Sequence, residues 1–293
     1  MKYITGTLDF QLNSRSVITL GKFDGLHRGH MKLIKRTLDL RSEGNEAVVF
    51  AFDIETLLTN EERKDILEEI GIDCLVECPF VSKIMNMTPE EFVKEVLVGQ
   101  LKALHIVVGT DFRFGYKRMG DMQMLKELGE KYGFTVEVLE KVYDGKREIS
   151  STYIREEIEK GNIEKANELL GYPYFVTGEI IKGRQLGSTI GIPTINQALA
   201  PSKQLLPYGV YTSKTVVAGK EYKSVTDIGV KPTVNGTAAG VETNLFNCDE
   251  DLYGLMAKVS LYHFQRTEVK FASMEELKEQ LEKDVKKAQQ YWQ

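Results

Sequence analysis

Two of the four histidines in this chain lie three positions apart in one short stretch, GKFDGLHRGH, at residues 21–30. The stretch follows an apolar run and precedes the amphipathic residues 31–40, an order that predicts a strand, a tight loop and a helix. His27 and His30 therefore fall at a helix N-terminus, where free backbone N–H groups and the helix dipole favour an anion. Arg28 adds positive charge where acidic residues normally stabilise a helix. This pattern favours a site for a polyanion such as a phosphate chain.

Glycines punctuate the same loop at Gly21, Gly25 and Gly29. Glycine lets the backbone approach a ligand closely, as phosphate-binding loops require. The plainer alternative is that the histidines are exposed turn residues and that the glycines only shape the loop. For an isolated H-x-x-H pattern that alternative is the better one, so the phosphate interpretation needs a second signal.

The segment ISSTYIR (149–155) supplies this second signal. It opens another predicted helix with hydroxyl residues, of which Ser151 and Thr152 are most simply explained as N-caps. A cap does not explain Arg155, which puts a cation near the start of the helix. Two helix starts that carry basic residues favour the anion-binding interpretation over the exposed turn.

The composition predicts a globular protein of about two domains. The chain has 293 residues, of which 42% are hydrophobic and 28% charged, enough to bury a core in each half. The net charge of -5 argues against a nucleic-acid coat or a membrane-surface protein, because both need an excess of basic residues. Three cysteines cannot all pair, and we expect reduced thiols. No apolar run approaches the roughly 18 residues of a membrane span, so we expect a cytoplasmic protein.

The first half of the chain has the alternation of a doubly wound α/β fold. Short apolar runs alternate with longer amphipathic stretches, and these runs are residues 17–20, 47–52, 74–80, 105–109 and 135–140. This order predicts a Rossmann-like domain with a parallel sheet. Between two of the runs, Thr88-Pro89-Glu90-Glu91 has the residues of a capping box and predicts a helix through about Leu101.

From Tyr172 onward the pattern changes to strand-like segments separated by glycine-rich turns, which is typical of a small closed β-barrel. The last stretch predicts a C-terminal helix with a capping box formed by Ser273 and Glu276. We place the domain boundary near Gly171, where the helical pattern stops at glycine and proline. The predicted domains are therefore residues 1–171 and residues 172–293.

Together these motifs carry a resemblance to a known family. GKFDGLHRGH and ISSTYIR resemble the H-x-G-H signature of the nucleotidyltransferase superfamily and its partner motif. GTDFRFGYKRMGD (109–121) is similar to a segment of the prokaryotic bifunctional riboflavin kinase/FAD synthetase family. Four segments of the second half resemble the riboflavin kinase module of that family, in matching order: residues 183–196, 205–211, 227–236 and 241–254. The resemblance covers nearly the whole chain.

The resemblance implies a bifunctional enzyme of flavin cofactor biosynthesis. Its riboflavin kinase barrel, residues 172–293 with the C-terminal helix, would phosphorylate riboflavin to FMN with ATP and Mg²⁺. Its FMN adenylyltransferase domain, residues 1–171, would transfer AMP from ATP to FMN, forming FAD and releasing pyrophosphate. The implied partners are ATP, riboflavin, FMN and FAD, with no nucleic acid and no membrane.

The resemblance also implies roles in the first site. His27, His30 and Arg155 would be catalytic, the histidines by contacting the ATP phosphates and stabilising charge at the α-phosphate. Phosphate nearby would favour the cationic form of both histidines. Further contacts with ATP would come from Gly21, Phe23, Gly25, Gly29, Ser151 and Thr152. The flavin would contact Asp111, Phe112 and Arg113.

In the second site, the resemblance implies that Glu242 is the general base that takes the proton from the ribityl 5′-hydroxyl of riboflavin. Thr194 and Asn196 would coordinate Mg²⁺. ATP would contact Gly183, Arg184, Gly187 and Thr194, and the flavin would contact Tyr253. Taken alone, Glu242 has a plainer explanation as a solvated side chain on the outer face of a strand, and Asn196 as a turn residue.

Two features of the first site depart from the family pattern. Lys22 stands where the family usually has Asn, and Ile54-Glu55-Thr56 stands where it usually has Pro-His-Pro. These departures leave two alternatives beside the bifunctional enzyme. One is a riboflavin kinase with impaired or absent adenylyltransferase activity. The other is a non-catalytic flavin- or nucleotide-binding regulator.

Overall fold

The computed structural model describes residues 1–52, 57–79, 81–183, 187, 191–204, 206–233 and 236–293. These residues form two compact units, Met1–Ser151 and Thr152–Gln293. By this division, the helices just before Gly171 count with the second unit. The boundary near Gly171 stays a prediction from the sequence.

The first unit alternates strands with helices. In chain order its elements are β1 (Lys2–Thr5), β2 (Arg15–Gly21), α1 (Arg28–Leu40), β3 (Asn45–Phe52), α2 (Asn60–Ile70), β4 (Cys74–Cys78), α3 (Ser82–Met85), α4 (Pro89–Glu91), a π-helix (Phe92–Gln100), β5 (Ala103–Gly109), β6 (Arg113–Phe114), a 3₁₀ turn (Tyr116–Arg118), β7 (Gly120–Asp121), α5 (Met122–Tyr132), β8 (Thr135–Leu139), β9 (Tyr143–Asp144) and β10 (Arg147–Glu148).

Six of these strands form one parallel sheet in the order β1-β4-β3-β2-β5-β8. The predicted Rossmann-like parallel sheet is confirmed, with β1 as an additional strand that the apolar runs did not predict. Strands β2, β3 and β4 are buried along most of their length. Such continuous burial is expected where helices cover both faces of a parallel sheet.

The two faces of this sheet carry different helices. The register places Glu137 of β8 and Glu77 of β4 on the same face, across the strands between them. Arg36 of α1 pairs with Glu137, and Arg63 of α2 pairs with Glu77. Helices α1 and α2 therefore share this face. The opposite face forms the main core with side chains of the π-helix and of α5.

The predicted capping box at Thr88 is confirmed. Its hydroxyl accepts from the Glu91 N–H at 3.2 Å, and the Glu91 carboxylate accepts from the Thr88 N–H at 2.8 Å. The helix that follows differs from the prediction, because α4 passes at Phe92 into a π-helix that ends at Gln100. Among the described residues, no helix is both long enough and apolar enough to cross a membrane.

The second unit is mostly antiparallel strands. Its elements are α6 (Ser151–Glu159), whose first residue closes the first unit, α7 (Ile163–Leu170), β11 (Phe175–Glu179), β12 (Ile195–Ala198), β13 (Gly209–Val217), β14 (Lys220–Thr233), β15 (Gly236–Leu245), β16 (Met256–Thr267) and α8 (Met274–Tyr291).

Six strands of this unit form one antiparallel sheet in the order β11-β16-β13-β14-β15-β12. The buried Gln197 of β12 donates through its side-chain amide to the carbonyls of Gly178 in β11 and Ala257 in β16, both at 2.8 Å. These bonds bring the two edge strands together, so the sheet is a nearly closed barrel. The predicted barrel is confirmed, and Asn196, for which a turn was the plainer alternative, lies in the strand β12.

The predicted C-terminal helix is also confirmed, as α8. The Ser273 hydroxyl caps it by accepting from the Glu276 N–H at 3.2 Å. The Glu276 carboxylate accepts from the Ala272 N–H instead of the Ser273 N–H that a capping box predicts. Helix α8 also buries Asp284 fully, in an ion pair with Arg266 at 2.6 Å.

Candidate functional site

The order of the parallel sheet reverses between β2 and β5. The chain runs outward from β2 through β3 to β4 in one direction, and from β5 to β8 in the other. At such a reversal, the connections that follow two neighbouring strands run to opposite faces of the sheet. This leaves a crevice at the carboxyl ends of the two strands, and α/β sheets bind ligands in such crevices. The histidine loop follows β2 at Gly21, and GTDFRFG follows β5 at Gly109. Both predicted first-site motifs therefore flank this crevice.

His27 itself is the N-cap of α1. Its Nδ1 accepts from the backbone N–H groups of Gly29 at 3.2 Å and His30 at 3.4 Å. Two N–H groups that point at Nδ1 leave no room for a proton there, so the neutral ring carries its proton on Nε2. The cap therefore commits His27 to one tautomer, with Nε2–H as a hydrogen-bond donor.

The two imidazoles stack on each other, with ring centroids 3.7 Å apart. Burial lowers the pKa of His27 to about 4, although the negative charge of Asp24 acts in the opposite direction. The pKa of His30 lies well below its usual value, mainly through burial and then through the positive charges of His27 and Arg63. Both rings are therefore neutral near pH 7 in this structure, and the cationic form expected beside a bound phosphate stays a prediction. His30 Nδ1 is buried and has no hydrogen-bond partner within the described part of the chain.

The loop between β2 and α1 has an unusual backbone. Phe23 and Leu26 adopt φ values of 49° and 40°, and Gly25 lies between them at 82°. Positive φ is costly for residues other than glycine and persists only where the surroundings hold it. Asp24 provides such support, since its carboxylate accepts from the Leu57 N–H at 2.9 Å and its carbonyl accepts from the Ser151 hydroxyl at 2.8 Å.

Gly21 and Gly29 serve packing inside this loop. A Cβ at Gly29 would lie 3.1 Å from the His27 ring, and one at Gly21 would lie 3.3 Å from the Phe23 ring. Both distances are tighter than ordinary van der Waals contact. The glycines therefore make space for two ring side chains of the protein, a role that the sequence did not indicate.

The loop after β5 contains the predicted flavin contacts. Asp111 is exposed and pairs with Lys141 at 2.9 Å, which also pairs with Glu148 at 2.8 Å. Phe112 stacks on a neighbouring aromatic ring and packs against the main core. The Arg113 guanidinium is exposed and donates to the Phe112 carbonyl at 3.3 Å. The structure thus holds this loop through a charge pair at one end and an aromatic stack at the other.

Other predicted residues of the first site are less closely defined. Ser151 bonds to the histidine loop as described, whereas Thr152 is exposed and Arg155 half-buried, both on α6 in the second unit. Lys22 is exposed, and Ile54-Glu55-Thr56 lie outside the described residues. The roles of Thr152 and Arg155 stay predictions.

The register of the barrel strands brings the residues of the second site side by side. Asn196 of β12 lies opposite Glu242 of β15, and Glu242 lies opposite Asp227 of β14. Neighbours of Glu242 along β15, such as Thr243, are buried inside the barrel, while Glu242 is half-buried on the other face. The Thr194 hydroxyl donates to Glu242 Oε1 at 3.4 Å. A hydroxyl, an amide and two carboxylates thus meet on the outer face of the barrel.

A cavity of about 270 Å³ adjoins this cluster, and its lining includes Thr194, Ile195, Leu245, Cys248 and Tyr253. The side chain of Tyr253 is exposed, with the Lys182 Nζ 5.7 Å from its ring centroid.

Two glycines that were predicted to contact ATP lie close to the same cluster. A Cβ at Gly183 would collide with the Asn196 amide, and the Gly187 carbonyl accepts from the Ile192 N–H at 2.8 Å. Arg184 lies outside the described residues.

Comparison with known proteins identifies the family. Residues 9–153 match the family model described as FAD synthetase, and residues 170–292 match the one described as riboflavin kinase. The bifunctional riboflavin kinase/FMN adenylyltransferase of Bacillus subtilis is 36% identical to this chain, over 95% of this chain and 93% of the relative. The chain belongs to the bifunctional riboflavin kinase/FMN adenylyltransferase family. It is a transferase with a nucleotidyltransferase domain followed by a kinase domain, as predicted.

Further relatives agree with this family. The Escherichia coli K12 protein of the same description is 34% identical over 94% of this chain and 92% of its own length. A crystal structure from Streptococcus pneumoniae, described as a macrolide-efflux protein, matches with a TM-score of 0.86 and 30% identity. The match covers 98% of both chains. The fold of the family is therefore present in a protein that carries a different description.

Three residues of these sites escaped the sequence reasoning: Asp24, Arg63 and Asp227. Asp24 and Arg63 are almost completely buried, and buried charged residues are rare unless they are paired or functional. A carboxylate inside the glycine-rich loop was a visible signal for Asp24. Arg63 gave no local signal, because its partner Glu77 lies on another element.

Proposed function

We propose that the second unit phosphorylates riboflavin to FMN and that the first unit adenylylates FMN to FAD, with ATP as co-substrate of both reactions. Family membership supports both reactions. The observation that carries the assignment of the first site is the capping of α1 by His27, because it directs a fixed Nε2–H donor away from the helix. The assignment of the second site rests on Glu242 beside Thr194 and Asn196.

In adenylyl transfer, the chain's task is to bind the nucleotide and to stabilise charge as the α-phosphate is attacked. The Nε2–H of His27 is a donor that needs no reorganisation, and the positive end of the α1 dipole favours an anion beside it. His30, with a buried Nδ1, offers a second imidazole in contact with the first. A phosphate beside the stacked rings would raise the pKa of both histidines from their low values. No covalent intermediate is needed, since positioning and electrostatics carry phosphoryl chemistry.

In riboflavin phosphorylation, Glu242 would accept the proton of the 5′-hydroxyl as that oxygen attacks the terminal phosphate of ATP. Its half-buried place on the barrel leaves the carboxylate reachable, and the Thr194 hydroxyl already donates to it. Asp227 lies opposite Glu242 on the neighbouring strand β14. The cavity that Tyr253 lines lies beside these groups.

The donor set of the second site fits Mg²⁺. This ion prefers hard oxygen ligands and keeps several waters, so one or two protein ligands plus substrate phosphates suffice. Thr194 and Asn196 would hold it through their hydroxyl and amide oxygens. When bound, the ion would neutralise charge on the transferring phosphoryl group. A metal site built entirely from protein ligands is not required. Among the described residues, no group of three or more His, Cys, Asp or Glu side chains is placed to hold a metal ion.

A second candidate function is a riboflavin kinase whose adenylyltransferase site is impaired. The exposed Lys22 at the end of β2 and Ile54-Glu55-Thr56 in place of Pro-His-Pro favour this candidate. The stacked pair of histidines, of which His27 is buried and caps α1, favours the bifunctional enzyme. The cytoplasmic location stays a prediction from the sequence.

One incubation separates these functions. Purified protein is mixed with riboflavin, ATP and Mg²⁺, and riboflavin, FMN and FAD are resolved by chromatography over time. We expect FMN to appear first and FAD to follow. Accumulation of FMN without FAD would establish the impaired form, and conversion of neither would reject both catalytic assignments and leave the non-catalytic regulator.

A further inference from the structure

Lys141 lies just beyond the end of β8 and contacts two carboxylates at once. Its Nζ is 2.9 Å from Asp111 Oδ2, in the loop after β5, and 2.8 Å from Glu148 Oε2, on β10. The lysine side chain is 24% exposed, whereas the Asp111 side chain is 68% exposed. Asp111 is one of the predicted flavin contacts. A half-buried cation that the sequence motifs do not include therefore holds this contact.

The register of the parallel sheet explains why these groups meet. Gly109, the last residue of β5, lies opposite Leu139, the last residue of β8. Asp111 and Lys141 each follow two residues later, so both lie beyond the carboxyl edge of the sheet, where α/β sheets bind ligands. The contact between Asp111 and Lys141 thus lies at the edge that carries the crevice of the first site.

The other partner of Lys141 lies close in sequence to a contact with the histidine loop. Glu148 belongs to β10, which pairs with β9 in a hairpin. Three residues later, the Ser151 hydroxyl donates to the Asp24 carbonyl inside the histidine loop at 2.8 Å. Lys141 therefore connects the flavin loop, residues 110–113, to the chain segment that contacts the histidine loop.

We propose that Lys141 is a positioning residue for adenylyl transfer, which holds the flavin loop in place for FMN. The proposal rests on the adenylyl transfer proposed above and on the predicted contact of Asp111 with the flavin. Because Asp111 Oδ2 and Glu148 Oε2 contact the same Nζ, they are less than about 6 Å apart. Without the lysine, two carboxylates at this distance repel each other, and the flavin loop would move away from β10.

The plainer explanation is an ordinary surface ion pair, and exposed pairs of this kind contribute little to stability. Two observations favour the positioning role. Lys141 bridges two separate segments instead of pairing once, and both segments contain or adjoin residues predicted to contact a substrate. The expected effect is therefore on FMN, with the stability of the protein largely unchanged.

The test compares Lys141→Met, which removes the charge, with Lys141→Arg, which keeps it. The matched control is Lys131→Met, which removes an exposed lysine paired with Glu90 at 2.5 Å on α5. The kinetic readouts are kcat and the KM values for FMN and ATP in FAD formation, with riboflavin phosphorylation as an internal control. The structural readout is hydrogen exchange of the Phe112 amide, which donates to the Gly109 carbonyl at 3.1 Å and reports opening of the flavin loop.

In Lys141→Met we expect the KM for FMN to rise at least fivefold and the Phe112 amide to exchange at least fivefold faster. The kcat, the KM for ATP and riboflavin phosphorylation should stay within about twofold of native, because the histidine site and the other unit are not changed. Lys141→Arg and Lys131→Met should match the native protein within about twofold on every readout. Thermal unfolding checks that each variant is folded, and Lys141→Gln replaces Lys141→Met if the latter is not.

A folded Lys141→Met variant with the native KM for FMN overturns the proposal, and so does native exchange of its Phe112 amide. A Lys141→Arg variant that behaves like Lys141→Met also overturns it, because the charge is then not what holds the loop. If the native chain forms no FAD, the proposed adenylyl transfer fails. The exchange of the Phe112 amide still decides whether Lys141 holds the flavin loop, since it requires no turnover.

Discussion

The two hydrogen bonds that His27 accepts at the start of α1 allow its structural and chemical roles to be separated. Loss of an N-cap costs about 1 kcal/mol, which corresponds to roughly 2–4 °C in Tm for a unit of this size. Asparagine is among the best N-cap residues. We therefore expect His27→Ala to lower Tm by a few degrees and His27→Asn to leave it near the native value.

Both substitutions remove the Nε2–H donor of His27. Loss of one oriented donor to developing charge typically lowers kcat by about 10²-fold or more, or about 2.7 kcal/mol of transition-state stabilisation. We expect this loss in the conversion of FMN to FAD for both variants. The residues proposed for riboflavin phosphorylation lie in the other unit, so FMN formation should stay within about twofold of native.

The assay measures FAD formation from FMN and ATP, FMN formation from riboflavin and ATP, and thermal unfolding, on the native protein and both variants. The informative comparison is His27→Asn, which keeps the cap and removes the imidazole. If that variant forms FAD at the native rate, His27 serves only as a cap and its phosphate role is wrong. If it is as destabilised as His27→Ala, the capping argument is wrong instead.

Four further outcomes are expected. Glu242→Gln should lower FMN formation about 10²-fold or more with riboflavin binding largely intact, and near-native turnover would reject Glu242 as the base. Asn196→Ala should raise both the Mg²⁺ and the ATP concentration needed for half-maximal FMN formation, and an unchanged Mg²⁺ requirement would count against Asn196 as a Mg²⁺ ligand. Asp284→Ala leaves Arg266 without its buried partner and should destabilise the protein by about 3–5 kcal/mol in thermal unfolding. Because burial lowers the pKa of His27 from 6.5 to about 4, the unfolded state binds more protons between these values. The free energy of unfolding should therefore fall as the pH drops from 7 to 4, by up to about 3 kcal/mol from His27, and His27→Asn should remove this share in denaturant titrations.

The parallel sheet was predictable because buried parallel strands form continuous apolar runs, as β3 and β4 do. The strands that escaped prediction are short and lie at sheet edges. In β1, KYIT has one buried residue among exposed or half-buried ones. In β12, INQA places the polar Gln197 inside the barrel, where its bonds to other strands replace apolar contacts. Such long-range compensation has no signal in local sequence.

The position of the two histidines was predictable from the sequence, whereas their neutral form in this structure was not. Strand, glycine-bounded loop and helix put His27 and His30 at an N-terminus, and the structure agrees. The neutral rings follow from burial, and segments far away in the chain lie against this loop: the Leu57 N–H donates to Asp24, and the Ile149 carbonyl lies beside Gly29. Arg63 and its partner were invisible for the same reason. Sequence spacing predicts where groups lie along one helix or strand, whereas their protonation state depends on the distant segments that bury them.

The barrel is closed between its two edge strands, β11 and β12, by few hydrogen bonds. Between β11 and β12 no continuous ladder of backbone bonds forms among the described residues. The Gln197 amide donates to Gly178 of β11, and the Ile181 N–H, just beyond the end of β11, donates to the Asn196 carbonyl. We expect amide hydrogens along this seam to exchange with solvent faster than those of β13, which is paired on both sides. Asn196 lies on this seam, and Thr194 directly precedes β12. Local breathing of the barrel would therefore reach the proposed metal ligands first and leave the strand that carries Glu242 in place.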